Sequence, residues 1–227
     1  MLRAIIFDCD GVIADTEPIH LSAFRKTLEE DEIVITDEEY FENYLGLDDR
    51  ACFKRAFEIR GLEVGEAKVE QLLAAKAAYT TSFMREELRL FPGVEGFIRN
   101  ASMKYPLAVA TSALRREVEL VLELTALRDM FKAVITAEDV ARSKPDPEPY
   151  LKALEALNRS SAQSIKAADC LVIEDSARGV RSARGAGMRA IAVTNTCPAE
   201  QLAEADHIIN SIESLSLSDV ESLFQRF

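Results

Sequence analysis

The sequence predicts a doubly wound α/β fold: a mostly parallel, Rossmann-like sheet with an all-helical cap domain inserted after its first strand. Three observations carry this. From Pro92 onward, short apolar runs alternate with segments of helical periodicity, whereas Glu17 to about Leu88 holds helical patterns and no convincing strand. Acidic or hydroxyl residues end three of the apolar runs, and in parallel sheets ligands sit beyond the carboxyl ends of the strands.

Ala4 to Phe7 is a continuous apolar run, as expected of a strand buried on both faces, and Gly11 offers a sharp turn after it. In the insert, His20, Leu21, Phe24 and Leu28 recur at helical spacing. A second helix is expected near Glu38 to Leu45, ended by Gly46, and a third from about Asp49 to Ile59. A fourth follows Gly65 through Val69, Leu72, Leu73 and Ala77 towards Phe83. Beyond Pro92-Gly93 come a helix over Val94 to Ser102, a strand over Leu107 to Thr111, a helix from Arg115 to Leu124 and a strand over Ala133 to Thr136. The Pro-rich stretch from Lys144 to Pro149 leads into a helix ending at Leu157. A strand over Leu171 to Asp175, a helix over Ala177 to Ala186 and a strand over Ala190 to Thr194 continue the alternation. His207 to Asn210 would add an edge strand before a closing helix near Val220. The division expected is 1–15 and 91–227 for the α/β core and 16–90 for the helical cap.

A formal charge of -12 argues against nucleic acid as a partner, although a metal and one or two cations can reverse the sign inside a pocket. The four cysteines are far apart, and Cys9 and Cys170 lie in apolar runs, which suits buried free thiols in a reducing, cytoplasmic setting. The apolar opening reaches Asp8 too early for a signal peptide, and no apolar run has membrane-spanning length. A monomer is the default expectation.

The polar strand ends suggest chemistry. Asp8 and Asp10 follow the first strand, Thr111 and Ser112 the second, and Glu174 with Asp175 a later one. Close carboxylates raise one another's pKa unless a cation separates them, and a hard, oxygen-preferring ion such as Mg2+ answers that need, with Asp175 a third contributor. A carboxylate nucleophile also needs an acid and base nearby, and two aspartates in different environments can divide those tasks. Thr111 would donate a hydrogen bond to a phosphoryl oxygen, and Lys144 would neutralise charge spreading over it. Singly, each residue has a plainer use: Asp8 as a turn or cap residue, Thr111 and Ser112 as caps of the next helix, Lys144 as a solvated side chain, Ser176 as a helix cap.

The segment Phe7-Asp8-Cys9-Asp10-Gly11-Val12-Ile13-Ala14-Asp15-Thr16-Glu17 resembles the first motif of the haloacid dehalogenase-like superfamily, and Thr111, Lys144 and Glu174-Asp175 resemble its other three. The resemblance covers nearly the whole chain. It implies that Asp8 forms an aspartyl-phosphate and that Asp10 acts as general acid, then base. It implies Mg2+ held by the Asp8 carboxylate, the Asp10 main-chain carbonyl and Asp175, with Glu174 assisting directly or through water. Thr111 and Lys144 would hold the phosphoryl group, with Lys144 also restraining Asp8. Asp10 argues against the dehalogenase and phosphonate-cleaving branches, which depart at that position.

The helical insert resembles the mobile cap of the phosphatase and sugar-phosphate mutase branch, with the active site between cap and core. His20 would lie just inside the cap, as a packed or hinge-bonded residue rather than a catalyst. Gly46-Leu47-Asp48-Asp49-Arg50 looks like a specificity loop in which Arg50 meets a substrate carboxylate or second phosphate. Ser112, Arg115 and His20 are further candidates for substrate or phosphate contact, Arg115 equally a solvated first-turn residue. Leu45, Ala113, Leu114 and Arg115 stand where mutase-like relatives carry other residues. The expectation is therefore hydrolysis of a small phosphorylated metabolite, with β-phosphoglucomutase-like isomerisation and a catalytically weak binding homologue as alternatives.

Overall fold

The computed structural model describes residues 1–44, 47–159, 161 and 164–225. The chain divides into two compact units, Met1–Asp15 with Arg89–Phe227, and Thr16–Leu88.

The first unit is built on a six-stranded sheet, every pairing parallel among the described residues. Its strands are β1 (Ala4–Phe7), β2 (Leu107–Ala110), β3 (Phe131–Ile135), β4 (Cys170–Glu174), β5 (Arg189–Val193) and β6 (His207–Ile209), in the order β3-β2-β1-β4-β5-β6. The strand order reverses between β1 and β4, so the crevice at the switch point opens at the carboxyl ends of those two strands. In register, Phe7 lies opposite both Val109 and Ile173, which brings the residues just beyond β1 level with the ends of β2 and β4.

Both faces of the sheet are covered, which is why the strands read as continuous apolar runs. Ala4 and Ile6 pack on one side into a cluster with Tyr150, Ala153, Val180 and Ala183, from α7 (Glu148–Arg159) and α8 (Ala177–Gly185). On the other side Phe7 meets Phe97 edge-on, with ring centroids 6.1 Å apart; Phe97 lies on α5 (Val94–Ser102). The remaining helices of this unit are α6 (Arg115–Leu124) and α9 (Leu217–Gln225).

β3 begins at Phe131, two residues before the expected Ala133, because Phe131 buries its ring against Phe7 despite the exposed Lys132 that follows. β2 stops at Ala110, although Thr111 N–H still donates to Ile135 O at 3.0 Å. The two chain segments that lead to and from the helical insert run antiparallel, with Asp15 N–H donating to Arg89 O (3.0 Å) and Phe91 N–H to Ile13 O (3.2 Å).

The second unit contains four α-helices among its described residues: α1 (Glu17–Leu28), α2 (Asp37–Asn43), α3 (Asp49–Ile59) and α4 (Glu66–Glu87). Leu45, the end of the expected second helix, and Gly46, the first residue of the expected specificity loop, lie outside the described residues. Thr36 and Asp48 cap α2 and α3 by accepting from Glu39 N–H and Ala51 N–H. Phe24 is the centre of this unit's core, with Tyr44 and Phe53 ring centroids each 5.2 Å away. The buried stripe of α4 runs through Val69, Leu72, Lys76, Thr80 and Met84, so the expected Ala77 is only half-buried and a lysine occupies the apolar face.

Replacing Phe24 with alanine removes the ring that three other aromatics share, and should cost about 3–5 kcal/mol. It should be read as an earlier urea transition of the helical circular-dichroism signal, and an unchanged midpoint would mean that these rings do not hold the helical unit together.

Candidate active site

Asp8 leaves β1 with its main-chain N–H still bonded to Ile173 O (3.0 Å). Its Oδ1 accepts from Cys9 N–H at 2.8 Å and faces Lys144 Nζ at 3.0 Å. Beyond it the chain turns tightly: the Cys9 carbonyl accepts from the N–H groups of Ile13 (2.7 Å) and Ala14 (3.1 Å). Gly11 sits in the turn at φ +75°, and a Cβ there would lie 1.9 Å from Asp175 Oδ2. Glycine is therefore required both by the backbone and by the approach of the Asp175 carboxylate. Asp10 is half-buried, and Thr111 Oγ1 lies 3.5 Å from its Oδ2. Thr111 is buried and accepts Ala113 N–H at 3.1 Å, so it organises its own turn rather than capping α6, whose N-cap is Leu114; Ser112 is exposed.

Lys144 is 4% exposed, not a solvated side chain. Its ammonium bridges Asp8 and Glu174 Oε1, the latter at 2.7 Å, and stands 5.0 Å from the Tyr150 ring centroid. The loop that delivers it carries a cis Lys144-Pro145 bond and is tied down by Arg178 Nε, which donates to the Lys144 carbonyl at 3.1 Å.

Glu174 is 0% exposed and its carboxylate is saturated. Oε1 accepts from Lys144 and from the Tyr150 hydroxyl (3.0 Å), while Oε2 accepts from Asp175 N–H (2.9 Å), Ser176 N–H (2.9 Å) and Ser176 Oγ (3.0 Å). Five donors match or exceed the four or so lone-pair sites of a carboxylate. Of the two options expected for Glu174, this arrangement suits assistance from outside the ligand set better than direct ligation. Ser176 also caps α8 through Gly179 N–H.

The charges decide the site's chemistry. Burial pushes the Asp8 carboxyl up to about 7 against the pull of Lys144, with Glu174 and Asp10 adding to the rise. Burial, then the charges of Glu174 and Asp8, hold Asp175 well above the usual carboxylate range. Burial would raise Glu174 too, but Lys144 and the hydrogen bonds it accepts keep it below its ordinary value. Burial opposes the Lys144 charge and is outweighed by Asp8 and Glu174, so the ammonium persists.

Asp8, Glu174 and Asp175 each offer an oxygen, all within 4.8 Å of one another. Three buried carboxylates around one ammonium leave an excess of negative charge in a donor set made only of oxygen. That set fits a hard divalent cation such as Mg2+, with Asp8 and Asp175 carrying the carboxylates available to it.

Two expected substrate residues are engaged elsewhere. Arg50 pairs with Glu66 (2.7 Å) and Glu70 on α4, which brings two carboxylates to its guanidinium. Arg115 sits in the first turn of α6 with its side chain 40% exposed; its guanidinium pairs with Asp139 and its main-chain N–H donates to Glu138 Oε2 at 2.6 Å. His20 lies within the helical unit, its Nδ1 3.3 Å from Lys76 Nζ, and Lys76 in turn pairs with Asp49 at 2.5 Å. Lys76 was not foreseen, although a lysine in phase with Val69 and Leu72 marks it in the sequence.

A family model described as "Haloacid dehalogenase-like hydrolase" matches residues 5–193. The chain is 32% identical over 197 residues to protein CbbY of Rhodobacter capsulatus, covering 84% of each chain. It is 31% identical over 194 residues to a phosphorylated carbohydrates phosphatase of Thermotoga maritima, again covering 84% of each. The crystal structure of CbbY from Rhodobacter sphaeroides in complex with phosphate superposes with a TM-score of 0.84 at 28% identity, over 97% of this chain and 100% of that one.

Helix propensity alone would make Gly179→Ala stabilising by about 1 kcal/mol. The added methyl would lie 1.6 Å from Glu174 Oε1, and breaking a buried charge pair costs roughly 3–5 kcal/mol. The variant should therefore lose roughly 2–4 kcal/mol in urea unfolding; a gain would show that the Glu174 network yields freely.

Proposed function

Because this chain belongs to the haloacid dehalogenase-like hydrolase family, we propose that it is a phosphatase that hydrolyses a small phosphorylated sugar through an aspartyl-phosphate on Asp8. The observation that carries this is the meeting of Asp8, Lys144, Glu174 and Asp175 at the ends of β1 and β4, with Asp10 and Thr111 alongside. The relative named for phosphorylated carbohydrates supports the substrate class.

Cys9 N–H and Lys144 both anchor Asp8 Oδ1, which assigns Oδ2 to attack. A new P–O bond forms to Asp8 as the ester P–O bond breaks, and Asp10 gives its proton to the departing sugar oxygen. Asp10, now a carboxylate, takes a proton from water as that water attacks phosphorus, and the bond to Asp8 breaks to release phosphate. Lys144 and the Thr111 hydroxyl stabilise the negative charge on the phosphoryl oxygens. Mg2+, held by the carboxylates of Asp8 and Asp175 and the Asp10 main-chain carbonyl, would offset the repulsion between an anionic nucleophile and an anionic ester. Glu174 holds Lys144 in place. Arg50 and Arg115 are each already paired with acids and receive no substrate role.

A panel of phosphorylated sugars with Mg2+ should yield free phosphate, and EDTA should stop its release. Asp8→Asn should abolish turnover and Asp10→Asn should lower it by about 10²- to 10⁴-fold. Unchanged turnover in Asp8→Asn would overturn the nucleophile, and an isomeric sugar phosphate formed ahead of free phosphate would overturn hydrolysis in favour of mutase chemistry.

A further inference from the structure

The loop after β5 carries none of the four motifs, yet it reaches the centre of the site. Asn195 Nδ2 donates to the Gly11 carbonyl at 2.7 Å. The neighbouring Thr196 is exposed, and its side chain draws the Asp175 carboxyl down, as a hydrogen-bond donor would, against the rise that burial causes. Thr196 Oγ1 and Asp175 Oδ2 converge on the same side of Gly11, 2.7 and 1.9 Å from where a Cβ would stand.

Gly11 is thus held at both ends. Its N–H donates to Ala14 O at 3.0 Å, and its carbonyl accepts from Asn195. In a trans peptide the carbonyl points opposite to the N–H, and the cis bond found among the described residues is Lys144-Pro145. Committing the Gly11 N–H to Ala14 therefore fixes the direction of the Asp10 carbonyl, and Asn195 stops the next peptide plane from rotating it away. Thr196 does the equivalent for Asp175, whose two oxygens would otherwise be free to turn about the side-chain axis.

We infer that Asn195 and Thr196 are positioning residues for the divalent cation, holding the Asp10-Gly11 peptide and the Asp175 carboxylate in one arrangement. The inference rests on the proposed Mg2+-dependent function. Groups that orient metal ligands without touching the ion are typically worth about 10- to 100-fold in affinity. Thr196→Val keeps the side-chain shape and removes the hydroxyl, Thr196→Ser keeps the hydroxyl, and Asn195→Ala removes the amide.

The test is Mn2+ binding to the whole protein without substrate, followed by electron paramagnetic resonance of free Mn2+. Thr196→Val and Asn195→Ala should each weaken binding by about tenfold or more, with Thr196→Ser within about threefold of the parent. Urea midpoints without metal should match the parent. With Mg2+, the concentration giving half-maximal phosphate release should rise while substrate KM at saturating Mg2+ holds. Parent-like Mn2+ affinity in Thr196→Val and Asn195→Ala would overturn the inference alone. So would failure of serine to restore binding, or weakening that merely follows lost stability. A parent protein that binds no Mn2+ would overturn the metal-dependent function itself, and this inference with it.

Discussion

One buried ammonium holds the site together. Lys144 lies between Asp8 and Glu174 at 3.0 and 2.7 Å, where each attraction is on the order of 5 kcal/mol at an effective dielectric of about 20. At Asp8 the pull of Lys144 exceeds the push of Glu174 or of Asp10, though not that of burial, and the lysine can act so only if its loop is rigid. The clamp of Arg178 on the Lys144 carbonyl and the Tyr150 ring beside the ammonium supply that rigidity. The same arithmetic shows what one ammonium leaves undone. It balances Glu174 and restrains Asp8, but Asp175 is buried where burial and the charges of Glu174 and Asp8 disfavour its charged form, and a divalent cation beside it would favour that form.

The sheet makes this possible because it is apolar on both faces. Polar groups cannot settle within β1 or β4, so they collect where those strands end, and the reversal of strand order opens a crevice at that point. Tight turns then set the details. Gly11 lets the first loop pass close to Asp175, and Gly179 leaves room for the Glu174 carboxylate above the first turn of α8. Neither position tolerates a side chain without moving an acid.

Much of this was legible from residue pattern. The apolar runs locate the strands, and Asp8, Asp10, Thr111, Glu174 and Asp175 stand at their ends because that is where buried strands meet polar loops. What pattern could not convey is how individual charges are matched. Glu174 reads as a ligand until five donors are found on its oxygens. Arg50 and Arg115 read as substrate contacts because the acids that pair with them lie elsewhere in the chain. Lys76 looks like a solvated lysine unless its phase with Val69 and Leu72 is given more weight than its charge. Asn195 and Thr196 lie in a turn with no distinctive spacing, and their importance follows only from the return of β5 beside β4.

The most direct measurement is anomalous diffraction from crystals soaked in Mn2+. The charge account predicts a peak in contact with the carboxylates of Asp8 and Asp175, with Lys144 still bridging Asp8 and Glu174. A peak away from these residues, or an ion that displaces Lys144 from Asp8, would contradict it.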